Sequence, residues 1–213
     1  MDTCGNAKVN SIQAVVFDCD GVLFDTEAAN RVYYSRILQH FGQPAVTDEQ
    51  FAFIHMHTVA ESIDYLFPDA DIRAEAHEFR KGMDYGSYLQ YLVIEPHLIA
   101  LLEKLRPRIK TAIATNRTDT MTRVLAEHSL EGCFDLVVTA SDVRLPKPAP
   151  EQLQVILDHF GILPNQMIYI GDSDLDARAA QAAQVPFIAY RNADLTAHRH
   201  IEGLHEIVQI LGL

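Results

Sequence analysis

Cysteine is scarce, long apolar runs are missing and positive charge is in deficit, and each shortage removes a class of protein. The 213 residues hold three cysteines, Cys4, Cys19 and Cys133. Any disulfide scheme leaves one unpaired, and none stands in a C-x-x-C spacing. Neither a disulfide framework nor a zinc site is therefore supported, and a reducing, cytoplasmic setting is expected. No run of about 18 apolar residues occurs, and residues 1–13 lack an apolar core of signal-peptide length, so neither a membrane span nor export by that route is expected. Lys and Arg number 17 against 29 Asp and Glu, a formal net charge of -12. That balance attracts neither nucleic acid nor an anionic membrane surface. Internal repeats and low-complexity segments are also missing.

What is present suits a globular chain with a real core. Hydrophobic residues make up 48% and charged residues 22%, with a mean hydropathy of -0.01. The length fits one large domain, or a medium one carrying a smaller insert. Short β-rich runs alternate with helical patterns. Residues 12–17 (IQAVVF) are continuous, mostly apolar and end in polar residues, as a buried parallel strand should. Similar runs occupy 109–114, 136–139, 167–170 and 186–189, and amphipathic helices are expected over 97–106, 119–128, 151–160 and 174–183. Pro150 before the third of these and Gly161 after it supply the start and stop punctuation. Strands separated by single helices imply an α/β fold with a doubly wound parallel sheet.

One stretch breaks that rhythm. From residue 28 to 91 no strand pattern appears and helical periodicity dominates, as in 30–41 and 74–92. It is too long for an ordinary connection and reads as an all-helical cap insert, leaving 1–27 and 92–213 as the core domain.

Four polar clusters sit where apolar runs end, the place where open α/β sheets build their sites. Asp18 and Asp20 follow the first run, and their i, i+2 spacing directs both carboxylates toward one pocket. Such a pair stays ionised when a hard divalent cation such as Mg²⁺ neutralises it; alone it reads equally as a solvated turn. Thr115, Asn116 and Arg117 follow the second run, where a hydroxyl and free backbone N–H groups hold phosphate oxygens or simply cap a helix. Lys147 is set among Pro146, Pro148 and Pro150, which aim its ammonium at a phosphate or leave it an exposed loop residue. Asp172 and Asp176 follow the fourth run through Gly171 and fall on one helical face, as metal carboxylates or as an acidic helix start. An acidic chain that handles phosphate has to find local positive charge, and these clusters offer a lysine, backbone N–H groups and a place for a metal.

In their order and strand-end placement the four clusters resemble the haloacid dehalogenase superfamily, from Val15 to about Asn192. The stretch from Asp18 to Glu27 is similar to the branch that contains phosphoglycolate phosphatases and β-phosphoglucomutases. The resemblance implies a Rossmann-like core of five strands in the order 5-4-1-2-3, with a helical cap inserted after the first motif. It implies Asp18 as nucleophile, Asp20 as general acid/base, Thr115 and Asn116 as holders of the transferring phosphoryl group, and Lys147 as its charge partner. Asp172 would ligate Mg²⁺ with Asp18 and the backbone carbonyl of Asp20, and Asp176 would be an auxiliary metal carboxylate. By the same resemblance the segment 53–58 would fall where the cap meets the site, which makes His55 and His57 candidates for selecting the leaving group.

The expected activity is a Mg²⁺-dependent phosphatase that hydrolyses a small phosphorylated metabolite through a phospho-aspartyl intermediate, as a monomer or weak dimer. A mutase that returns the phosphoryl group to another hydroxyl is the alternative, and a non-catalytic phosphometabolite binder a third. Arg31, Arg36, Arg73, Arg80 and Lys81 are scattered along the insert, without the cluster a mutase needs for a second phosphate, which favours hydrolysis. Cys19, between the two acids, should turn into the sheet as a small hydrophobe. Asp25 and Thr26 should cap the first helix, Gln184 should affect helix termination only, and His198 and His200 should be surface residues.

Overall fold

The strand Ala14–Phe17 (β1) has no polar face, so it is stable only with a layer on each side. In the computed structural model, which describes residues 12–106 and 108–213, it lies mid-sheet with parallel neighbours on both edges. Those neighbours are Lys110–Thr115 (β4) and Met167–Gly171 (β6). Leu136–Thr139 (β5) extends one flank; Phe187–Tyr190 (β7) and Arg199–Ile201 (β8) extend the other. The order is β5-β4-β1-β6-β7-β8. Its first five members reproduce the expected order. The sixth, β8, is an addition: of its three residues only Ile201 is buried, so it carries no apolar run to announce it.

Alternation along β1 assigns the two layers. Val15 and Phe17 join one apolar cluster with Leu98–Leu105 (α5), Met121–Glu127 (α6) and Glu206–Leu211 (α9). Ala14 and Val16 join the other, with Glu151–Phe160 (α7) and Asp174–Ala183 (α8). Cys19 is fully buried in the first cluster, as its place in the alternation requires. Cys133 is a free thiol, and Cys4 lies outside the described residues. Gln184 ends α8 in the left-handed conformation, at φ 58°.

Between β1 and α5 the chain is helical: Glu27–His40 (α1), Asp48–Ile54 (α2), Val59–Leu66 (α3) and Ala70–Lys81 (α4), then a 3-10 turn over Tyr85–Tyr91. These elements bury their own aromatic cluster, built on Tyr33, Tyr34, Ile37, Ile63, Phe67 and Tyr88. The helix expected over 74–92 is two elements, because Gly82 closes α4 and Asp84 starts the 3-10 turn by accepting from the Gly86 N–H. A two-stranded ribbon, Phe24–Asp25 (β2) with Val93–Ile94 (β3), stands where the chain enters and leaves this segment. The cap of α1 is Asp25 alone, whose Oδ1 accepts from Glu27 N at 3.0 Å. Thr26 is fully buried and makes no side-chain cap, contrary to expectation. No helix among the described residues is long and apolar enough to cross a membrane.

Candidate active site

The carboxyl ends of β1, β4 and β6 bring the strand-end clusters together. Asp18 leaves β1 with its N–H bonded to the Ile170 carbonyl at 2.9 Å, which holds it beside β6. The chain then turns through Gly21 at φ +83°, where an added Cβ would lie 2.0 Å from Asp172 Oδ2. Only glycine lets the turn pass that carboxylate.

Lys147, 4% exposed, is the hub. Its Nζ donates to Asp18 Oδ1 and Asp176 Oδ1, each at 2.7 Å, and to the Tyr169 hydroxyl at 3.0 Å. Asn116 holds the loop that carries it: Asn116 Oδ1 accepts from Lys147 N at 3.0 Å, and its Nδ2 donates to the carbonyls of Lys147 and Met56 at 3.2 Å. The Asn116 side chain is thus committed to two loop backbones, while its backbone N–H is the group expected to meet phosphate. Thr115 is buried and its Oγ1 accepts from Arg117 N at 3.2 Å, while Gln152 secures its carbonyl at 2.7 Å.

Asp176 is fully buried and accepts from Tyr169 OH at 2.6 Å and from Ser173 N and Oγ, as well as from Lys147. Ser173 in turn caps α8 by accepting from Asp176 N. Asp172 Oδ2 lies 3.3 Å from His55 Nε2. Asp20 points elsewhere, into a two-pronged pair with Arg117: Nε and Nη2 each reach one of its oxygens at 2.7 Å. The Arg117 guanidinium also donates to Tyr85 OH and Thr120 Oγ1 at 3.1 Å.

Burial dominates the electrostatics. It lifts Asp18 well above the usual carboxylate range against the pull of Lys147, and Asp176, Asp172 and Asp20 add to the rise. Asp172 is also raised, by burial and by Asp176, with His55 opposing. For Asp176 burial is outweighed by Lys147 and its three hydrogen-bond donors, which hold it low. Asp20 is likewise low, because Arg117 overcomes its burial. Burial would lower His55, but the bond to Asp172 and the charges of Asp172, Asp20 and Asp18 raise it to about 9. The site therefore concentrates negative charge that its own cations only partly match.

That surplus fits a metal. One carboxylate oxygen each from Asp18, Asp172 and Asp176 lies within 4.8 Å of the others, a hard-oxygen set of the kind Mg²⁺ takes. The Asp20 carboxylate is not in this group.

Above the carboxylates opens a cavity of about 290 Å³, lined by Asp18, Asp20, Thr115, Asn116, Lys147 and Asp172 at one end. Tyr33, Ile54, Met56, Met83 and Tyr85 line it elsewhere. His55 and His57 both border it, though not from a helix, since α2 ends at Ile54. His57 stacks on Phe53 at 3.8 Å and bonds its carbonyl, while His55 reaches Asp172. Sequence reasoning gave no role to Arg117, Tyr169 or Ser173. Arg117 was signalled only by its place after Thr115 and Asn116, because its partner Asp20 is 97 residues away.

Fold and site together define an α/β enzyme whose acidic, lysine-bridged centre sits at the carboxyl edge of a parallel sheet. The chain belongs to the haloacid dehalogenase-like hydrolase family, whose model matches residues 15–190. A phosphorylated carbohydrates phosphatase of Thermotoga maritima is 28% identical over 184 residues, 82% of each chain. A phosphoglycolate phosphatase of Aliivibrio fischeri is 30% identical over 189 residues, 81% of each chain. The crystal structure of a haloacid dehalogenase-superfamily hydrolase of subfamily IA from Geobacter sulfurreducens superposes with a TM-score of 0.79 at 37% identity, covering 95% of this chain and 97% of that one.

Proposed function

We propose that the chain is a phosphoric monoester hydrolase that transfers the phosphoryl group of a small phosphorylated metabolite to Asp18 and then to water. The observation that carries this reading is the Lys147 ammonium, 2.7 Å from both Asp18 and Asp176 on the floor of the cavity. Relatives named as phosphatases support it.

In the first step an Asp18 oxygen attacks phosphorus in line, the ester P–O bond breaks, and Asp20, which has first to leave Arg117 and take up a proton from solvent, gives that proton to the departing alcohol. In the second, Asp20 takes a proton from water, which attacks the same phosphorus and releases Asp18 and inorganic phosphate. Asp20 begins clasped by Arg117, so the guanidinium has to release at least one oxygen before that carboxyl meets a leaving group. Lys147 and the N–H groups around Cys19 and Asn116 stabilise the equatorial oxygens. Asp18, Asp172 and Asp176, with the Asp20 carbonyl, would hold Mg²⁺, whose charge lets an anionic ester approach a carboxylate. Residues 28–91 act as a cap over the core of 1–27 and 92–213, hinged at the β2–β3 ribbon.

The test is phosphate release from a panel of phosphomonoesters with and without Mg²⁺, with Asp18→Asn as control. Metal-dependent release that the variant loses supports the reading; metal-independent release, or release that survives the variant, contradicts it. One observation favours the mutase as second reading. Arg80 and Lys81, two of the scattered insert cations, line the cavity beside Arg117 and Arg123, so basic groups do gather there. Isomerised product without free phosphate would establish it.

A further inference from the structure

Tyr169 is fully buried in the middle of β6, and packing alone does not call for its hydroxyl. Alternation along the strand turns Met167 and Tyr169 into the α7–α8 layer, and Ile168 and Ile170 into the other. Tyr169 carries the one hydroxyl among the buried members of its cluster. Ala112 and Ala114 on β4 and Ala179 and Ala180 on α8 belong to the same cluster, and their small side chains leave room for the ring. The hydroxyl reaches across β1 toward β4, 3.2 Å from the Ala114 carbonyl. There it closes a triangle. It donates to Asp176 Oδ1 at 2.6 Å and accepts from Lys147 Nζ at 3.0 Å, while Lys147 donates to the same Asp176 oxygen at 2.7 Å. Phenylalanine would fill the space and close no triangle.

Two carboxylates compete for that ammonium, since Asp18 Oδ1 also accepts from it at 2.7 Å. The phenol proton meets part of the charge on Asp176 Oδ1, so Asp176 draws the lysine less strongly away from Asp18. Placement matters here, because a group that stabilises charge arising in the transition state has to be held to within about 0.5 Å. A shift of about 1 Å can cost on the order of a hundredfold in rate.

We propose that Tyr169 is a positioning residue: by donating to Asp176 and accepting from Lys147, its phenol sets the ammonium where charge develops on the transferring phosphoryl group. The inference rests on the phosphatase reading and adds to it the residue that aims Lys147. Tyr169 itself touches neither phosphorus nor the leaving group.

The test is calorimetric titration of Mg²⁺-loaded wild type and Tyr169→Phe with two oxyanions. Orthophosphate is the tetrahedral product; orthovanadate takes the five-coordinate shape of the group in transfer. The variant should bind vanadate about tenfold to a hundredfold more weakly and phosphate within about twofold of wild type. Its kcat should fall by the same factor as its vanadate affinity, with KM within about threefold. Tyr190→Phe, which removes a buried phenol from β7, should leave both affinities unchanged. Equal weakening of both oxyanions, or of neither, assigns Tyr169 a packing role and overturns the inference while the phosphatase reading stands. If Tyr169→Phe does not fold, the crystal structure of wild type with Mg²⁺ and vanadate decides. Lys147 Nζ should there meet an equatorial vanadate oxygen while still bonded to Tyr169, and a broken Tyr169 bond overturns the inference. Failure of wild type to bind either oxyanion overturns both readings.

Discussion

The two ends of the cavity are built on opposite principles. At the sheet end every charged side chain has a partner inside the fold: Lys147 bridges Asp18 and Asp176, Arg117 clasps Asp20, and His55 meets Asp172. At the helical end the walls are Tyr33, Met83 and Tyr85, and the Arg80 Nε is left without a partner. Apart from the Asp20–Arg117 clasp, which has to open, the first arrangement sets its charges before substrate arrives, which is where electrostatic catalysis gains most. The proposed function puts chemistry at the sheet end and selection at the helical end, so substitutions at the two ends should fail differently.

Asp18→Asn should give the largest effect. With no nucleophile, phosphate release should fall by about 10⁴-fold or more, while substrate binding survives. A loss confined to KM would erase the distinction between the two ends.

Asp20→Asn should follow, costing about 10²–10⁴-fold in kcat, the range expected for one general acid/base. Because the proton goes to the leaving oxygen, the loss should shrink for an activated ester such as p-nitrophenyl phosphate. An equal loss for activated and alkyl esters would show that Asp20 acts only through its pairing with Arg117.

Much of the sheet end was legible in the sequence, and the reason is physical. A buried parallel strand has to be apolar throughout, so the first polar residue after it marks the sheet's edge, and Asp18, Thr115 and Asp172 each stand at such a transition. What sequence separation hides is pairing. The Asp20–Arg117 clasp and the Lys147–Asp18 bridge join residues 97 and 129 apart. The helical wall was hidden for the same reason, since Tyr33 and Met83 meet only after α1 and α4 pack. The starts of α2 and α3 were legible but went unread: Thr47 with Gln50, and Thr58 with Glu61, are complete capping boxes. His55 and His57 lie just past Ile54, where α2 ends, so no helical periodicity in the sequence places their rings.

The sheet end should also be where stability is most sensitive. Asp176→Ala leaves the buried Lys147 with Asp18 as its one carboxylate and takes an acceptor from Tyr169 and from Ser173, so it should destabilise the metal-free protein by about 3–5 kcal/mol. For a chain of this size that corresponds to a fall in Tm of roughly 6–20 °C. A fall of a degree or two would mean that water re-enters and solvates the ammonium.

The smallest effect is expected at His55, where the two ends meet. Its pKa is raised from 6.5 to about 9, chiefly by Asp172 acting against burial. A histidine raised on folding contributes its stability in full below the unfolded value and loses it as pH climbs through the folded one. In EDTA, wild type should exceed His55→Gln by on the order of 1–2 kcal/mol at pH 6. Melting curves should converge toward pH 10; a gap that is constant with pH would assign His55 a packing role alone.

Transfer of phosphorus to one aspartate is the claim on which the comparison rests, and it can be observed chemically. Rapid acid quench of the enzyme during turnover, followed by borohydride reduction and peptide mass analysis, converts an aspartyl phosphate to homoserine. The account predicts homoserine at position 18 in wild type and its loss in Asp18→Asn. Full turnover with position 18 unmodified, or with homoserine at position 20, would contradict it.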